Sequence, residues 1–347
     1  MRAVIAEQYK AMREGFGFVD RSSRGYIAVM GPDRANYLQG LLTNDIVALS
    51  SGTGCYALYL TPQGRIIADC EILDLGDVLM LDVHKEIKDF LVEKFKELIF
   101  TEDVKIVDWT DQWKSYGVYG HSAIDFSSTA LEKLTANEST FSILSVLKEH
   151  QHCQVSLLET TVIVTRIDEF GELGVSLYID RNYSESFRNA LLASGGTEVD
   201  HQTTEVIRVE SGRPAFPLDM GPETIPLEVG IEDRAISFTK GCYVGQEVLV
   251  RVLHRGKGRV SRKLVGLTFS SDFGSINADS LVPLHGTSLW SDNEQVGHIT
   301  SAVFSQALSK VIALGYLSRD LLKPGTQVQA LFQEGRVDGL VTPMPFV

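Results

Sequence analysis

The chain has 347 residues, 44% hydrophobic and 22% charged, with a formal net charge of -13 at pH 7. That length predicts two or three domains of a soluble globular protein, and the acidic balance argues against a general nucleic-acid or membrane-surface binder. No run reaches the roughly 18 uninterrupted apolar residues of a membrane span, and the cysteines (Cys55, Cys70, Cys153 and Cys242) form no CxxC pair and suggest no disulfide framework.

The opening MRAVIAEQYKAMREG carries Glu7 and Glu14 and lacks an apolar segment, so it does not read as a secretory signal, and a reducing compartment, most simply the cytoplasm, is expected. In MGPDRANYLQGLLTNDI (30–46), Gly31 and Pro32 precede Tyr37, Leu38, Leu41 and Leu42 at helical spacing, and Thr43, Asn44 and Asp45 end the run. CYALYLTPQGRIIADCEIL (55–73) reads as two strands around a Pro62–Gly64 turn. HKEIKDFLVEKFKELIF (84–100) is an amphipathic helix with Ile87, Phe90, Leu91, Phe95 and Leu98 on one face. TTVIVTRI (160–167) and LGVSLYI (173–179) read as strands, and SESFRNALLASGG (184–196) as a helix stopped by Gly195 and Gly196.

The texture then changes. Pro214, Pro217, Pro222 and Pro226 fall close together, which predicts an extended, irregular segment because proline fixes φ and donates no hydrogen bond. From Arg262 onward, LVGLTF, TSLW, VIALGYL and VQALF alternate with SDN, KPG and EGR turns, as in a closed or sandwiched β-domain, with GKG (256–258) as the hinge into it. No internal repeat, Walker A motif, nucleophile elbow or Rossmann GxGxxG occurs, so nucleotide-driven and triad chemistry are not indicated. HQHC (150–153) offers His150 and His152 without the second ligand pair that zinc sites show.

The stretch KGCYVGQE (240–247) holds the chemistry. With a helix starting near Tyr243, Cys242 sits at its N-terminal edge, where free N–H groups and the dipole favour thiolate, and Lys240 adds positive charge. Gly241 leaves room for a ligand, and Gln246 and Glu247 stand one turn on to bond the ligand or the cap. The residues alone leave a second reading equally open, a small inert cysteine buried in a tight turn with Lys240 in solvent. From Val248 through Ser271 no acid appears, while Arg251, His254, Arg255, Lys257, Arg259, Arg262 and Lys263 form a cationic strip. That strip is either a carboxylate or phosphate site or a solvated linker.

At KGCYVGQE the chain resembles the YgfZ proteins, folate-binding relatives of the glycine-cleavage T-protein (aminomethyltransferase) whose mitochondrial cousins assist iron–sulfur protein maturation. VDRSSRGYIAVMGPDRANYLQGLLTNDI, IRVESGRPAFPLDMGPETIPLE, VGHITSAVFSQALSKVIALGYL and the final PMPF resemble the same superfamily across nearly the whole chain. The resemblance implies an α+β fold of three domains around a central channel: 1–52 with 117–205, 53–116 with 206–256 carrying the motif, and a C-terminal β-barrel over 259–347. It also implies bound tetrahydrofolate or a one-carbon derivative. Cys242 and Lys240 are then the reactive group and its activator, and Glu210, in RVESG, matches the glutamate that anchors the pterin through paired charge-assisted hydrogen bonds. Asp69, Tyr243 and Gln246 complete the expected folate contacts with Arg259 of the strip, although the motif does not specify which arginine takes part. T-proteins carry an aspartate pair where this chain has Ala68–Asp69, and they lack the cysteine, so both departures point away from glycine cleavage. The implied function is support of iron–sulfur protein assembly or repair and, through it, tRNA modification, with iron–sulfur client or assembly proteins as partners. Aminomethyl transfer to tetrahydrofolate, or a non-catalytic folate sensor, is the alternative.

Overall fold

The computed structural model describes residues 2–125, 144–157, 160–172, 174–269, 282–332 and 335–347. Leu173 of one predicted strand, Glu334 of one predicted turn and the end of the basic strip at Ser270 and Ser271 lie outside the described residues. The chain packs as two compact units, one of Met1–Leu60, Ala68–His201 and Arg234–Val244, the other of Thr61–Ile67, Gln202–Asp233 and Gly245–Val347.

The first unit holds two sheets. A six-stranded sheet runs in the order Thr197–Glu198, Gly17–Asp20, Trp113–Tyr119, Gly174–Asp180, Thr160–Arg166, His152–Leu157. A five-stranded sheet runs Gly54–Leu60, Ile66–Asp74, Val78–His84, Arg24–Met30, Lys105–Asp108. The strands predicted on either side of Pro62–Gly64 are therefore present. Arg24–Met30 is buried through its middle five residues, as expected of a strand covered on both faces. Tyr26, Leu73 and Met80 of the five-stranded sheet meet Ile163 and Tyr178 of the six-stranded one.

Beside that contact lies a buried ionic network. The fully buried Asp82 accepts from Arg21 Nη1 at 2.7 Å, Arg24 Nε at 2.5 Å and the Tyr178 hydroxyl at 2.8 Å. Glu169 accepts from Arg21 Nε at 3.0 Å and from the Tyr119 hydroxyl at 2.6 Å. Burial pushes the Asp82 carboxyl up, but the two arginines outweigh it and hold it below the ordinary carboxylate value.

The amphipathic helix spans Lys85–Glu97 and buries Leu91, Val92 and Phe95. Phe90, expected on that face, is 49% exposed. Leu91 and Phe95, one turn apart, set the buried stripe, and Phe90 is displaced from Leu91 by about 100° around the axis.

In the second unit the all-β C-terminus closes into a six-stranded barrel, ordered Arg262–Phe269, Lys310–Ser318, Glu294–Ser305, Ser288–Ser291, Gln327–Phe332, Gly335–Thr342. Leu267, Phe269, Leu289, Ile299 and Leu317 fill its interior. The proline-rich segment is irregular as predicted up to Ile225, whereas Pro226 opens the short helix Pro226–Val229, and the segment is fastened to the barrel by polar contacts. Arg208 reaches Asp219 at 2.6 Å and Ser301 at 2.7 Å, while the Tyr316 hydroxyl donates to the Asp219 carbonyl at 2.7 Å. The fold is α+β with a C-terminal barrel. Among the described residues no helix is long and apolar enough to cross a membrane.

Candidate functional site

An α-helix leaves its last carbonyls without partners inside the helix. At the end of Arg34–Leu41 these carbonyls are met from far along the chain. The Val244 N–H donates to Gly40 O at 3.2 Å. The Lys240 ammonium donates to the carbonyls of Gln39, Leu42 and Asn44, each at 2.7 Å, so all three of its N–H bonds are used. The Ser237 N–H donates to Thr43 O at 3.1 Å, and the Thr43 hydroxyl returns a bond to Ala235 O at 2.6 Å. Between these fastenings Gly241 and Cys242 are exposed, and a Cβ built on Gly241 would meet nothing within 4 Å.

This inverts the inert-cysteine reading of the motif, because the thiol is in solvent and the lysine is partly buried. Burial pulls the Lys240 ammonium down to about 8, against the raising effect of Asp45 and Cys55. The helix expected from Tyr243 begins instead at Gln246, with Gly245 at its N-cap in the left-handed region at φ 83. Cys242 precedes that cap rather than occupying it. Tyr243 is buried and lies under the Lys240 ammonium, 5.2 Å from its ring centroid. Gln246 is half-buried and Glu247 exposed.

Asp69 belongs to a buried polar group in the same unit. The Tyr56 hydroxyl donates to Asp69 Oδ2 at 3.1 Å, while Oδ1 is buried with no hydrogen-bond partner among the described residues. Burial raises the Asp69 carboxyl above the ordinary value, opposed by Arg24 and by the Tyr56 bond. Two residues on, Glu71 faces Arg234 at 3.8 Å and His150 Nδ1 at 2.9 Å, the latter off the line of a hydrogen bond. The Arg234 guanidinium stacks over the Tyr56 ring at 4.2 Å. Burial works to lower the His150 imidazole, yet the adjacent Glu71 carboxylate leaves it above the ordinary value. His150 thus serves Glu71, from a left-handed backbone position at φ 62.

In the second unit Glu210 ends the helix His201–Glu210 with its side chain fully buried. It accepts from the Ser305 hydroxyl at 2.6 Å, and its backbone carbonyl accepts from the Phe346 N–H at 2.8 Å. The cationic strip divides: Arg251, His254, Arg255, Lys257 and Arg259 are exposed, whereas Arg262 pairs with Glu228 at 3.3 Å and stacks over Tyr316 at 4.8 Å.

Residues 1–240 match the model of the GCVT N-terminal domain, and residues 262–347 that of the glycine cleavage T-protein C-terminal barrel domain. The chain belongs to the glycine-cleavage T-protein family. It is 27% identical to an aminomethyltransferase of Halothermothrix orenii, over 99% of this chain and 91% of the relative. It is 24% identical to one from Thermoanaerobacter pseudethanolicus, over 99% and 89% of the two chains. The solved glycine cleavage system aminomethyltransferase T of Bartonella henselae has the same fold, with a TM-score of 0.85 and 20% identity, covering 99% of this chain and 89% of that one.

Within this T-protein fold, sequence reasoning missed Tyr56, Glu71 and Arg234, and weighed His150 only as a metal ligand. A signal existed. Acids at positions 69 and 71 alternate within the apolar run from Ile66 to Leu73, so both point to one face of a buried strand and demand polar company there. The company itself comes from segments far off in the chain, which no local pattern marks.

Proposed function

We propose that this chain binds a reduced folate, tetrahydrofolate or a one-carbon derivative, and that the Cys242 thiol works in support of iron–sulfur protein assembly or repair and, through it, tRNA modification. The observation that carries the reading is the exposed thiol of KGCYVGQE on a segment fastened at both sides. A reduced pterin is rich in N–H donors, and the orphaned Asp69 Oδ1 is a buried acceptor suited to such a ligand. Glu210 is the pterin anchor in this reading, and Tyr243, Gln246 and Arg259 are further contacts. Folate supplies a carrier for one-carbon units. The protein's own groups bind it by hydrogen bonds, keep water from the carboxylates and present the thiol.

Aminomethyl transfer to tetrahydrofolate is the second reading, and the names of the relatives weigh toward it. Asp69 also suits it, since a carboxyl whose pKa is raised by burial can hold or release a proton near the reacting nitrogen. The absence of a second acid at Ala68 weighs the other way.

Two measurements separate the readings. Cys242→Ala is expected to bind tetrahydrofolate as the wild type does and to fail to rescue a strain lacking its own such protein. Full rescue removes the thiol from the mechanism. Purified protein supplied with aminomethylated carrier protein and tetrahydrofolate is expected to show no turnover, and measurable turnover establishes the transferase reading instead.

A further inference from the structure

We infer that Lys240 is a positioning residue whose ammonium clamps the 236–244 segment onto the end of helix Arg34–Leu41, so that the Cys242 thiol is held out in solvent. The inference rests on the reading of Cys242 as the working group and replaces the expected role of Lys240 as its electrostatic activator.

Three observations carry it. The first is convergence: one tetrahedral nitrogen donates to three backbone carbonyls from Gln39, Leu42 and Asn44, each at 2.7 Å. Two of these carbonyls lie at the negative end of a helix, where a cation is favoured and orphan acceptors need donors. The second is bracketing. Ser237 is tied to Thr43 and Val244 to Gly40, while Asn44 Nδ2 donates to Arg234 O at 3.2 Å. The exposed Gly241–Cys242 pair is thus the free crest of a segment pinned before and after it. The third is where the charge looks. Asp45 and Cys55 both act on the ammonium, and Tyr243 covers it with its ring. Gly241 fits the same picture: neither a left-handed φ nor lack of space requires glycine there, so its bare backbone keeps the approach to the thiol open.

A charge effect and a clamp make different demands. Activation needs only a positive charge near position 240, which arginine supplies. The clamp needs three N–H bonds diverging from one nitrogen, which a planar guanidinium does not offer. Lys240→Arg therefore separates the two.

The test is hydrogen exchange of the full chain, read by mass spectrometry on peptides covering 236–244 and 38–46, for the wild type, Lys240→Met, Lys240→Arg and Cys242→Ala. Loss of charged hydrogen bonds predicts exchange at the Ser237 and Val244 amides faster by on the order of ten- to a hundredfold in both Lys240 variants. Unchanged exchange in the strands Val78–His84 and Gly174–Asp180 of the same unit confirms that these variants are folded. If Lys240→Met does not fold, Lys240→Gln, with two donors and no charge, takes its place with the same expectation. Wild-type exchange in Lys240→Arg, or in every variant, overturns the clamp. Cys242→Ala is expected to exchange as the wild type does; should it also rescue the deficient strain, the thiol reading falls while the clamp stands.

Discussion

Replacing Asp82 by Asn keeps the shape of the side chain and removes the negative charge that the buried Arg21 and the largely buried Arg24 share. Arg21 is 4% exposed and Arg24 12%, and Asp82 itself is 0% exposed, so water cannot take over its role. Breaking a buried ion pair from one side costs about 3–5 kcal/mol. Glu169 still faces Arg21 at 3.0 Å, which places the expected cost at the lower end, about 3 kcal/mol. For a unit of this size that corresponds to a fall in melting temperature of roughly 6–12 °C. Urea unfolding followed by tryptophan fluorescence reads it, because Trp109 and Trp113 pack against the Tyr26–Tyr178 cluster; Trp290→Phe silences the barrel signal. Since the folded pKa of Asp82 is lowered, its contribution is complete above the unfolded value near 4 and is lost as pH falls through the folded one. The deficit of Asp82→Asn should therefore shrink in acid. A cost under about 1 kcal/mol at neutral pH, or a deficit independent of pH, refutes the claim that this network is desolvated and interdependent.

Three other outcomes follow from the geometry. His150 has a raised folded pKa, so its pairing with Glu71 stabilises fully below the unfolded value of 6.5 and is lost as pH rises through the folded value; urea midpoints of wild type and Glu71→Gln should converge on going from acid toward alkaline pH. Gly31 has φ +104 and a Cβ there would lie 2.1 Å from Asp103 O. Gly31→Ala should thus cost at least about 2 kcal/mol in thermal melts, whereas Gly40→Ala, in a helix with nothing within 4 Å, should be neutral or stabilising by up to about 1 kcal/mol. Glu210→Gln should weaken tetrahydrofolate binding by roughly ten- to a hundredfold in calorimetric titration, and an unchanged Kd removes Glu210 as the pterin anchor.

Much of the architecture could be read before any coordinates because it rests on local rules. The hairpin at Pro62–Gly64, the helix over Lys85–Glu97 and the string of short strands after Arg262 follow from period and turn chemistry, which each segment carries within itself. Boundaries shifted where neighbours intervened. The helix expected at Tyr243 starts at Gln246, because Val244 and Lys240 are engaged in finishing another helix.

The site divides along the same line. KGCYVGQE and the acids at 69 and 71 mark themselves, since charged groups and a lone cysteine in such company are visible in one dimension. What those groups do was decided by packing between distant segments: Lys240 belongs to the carbonyls of Gln39, Leu42 and Asn44, and Glu71 to His150 and Arg234. A hydrogen bond depends on distance and direction to its partner, here 201 residues away for Lys240 and Gln39, and adjacency along the chain contains neither quantity.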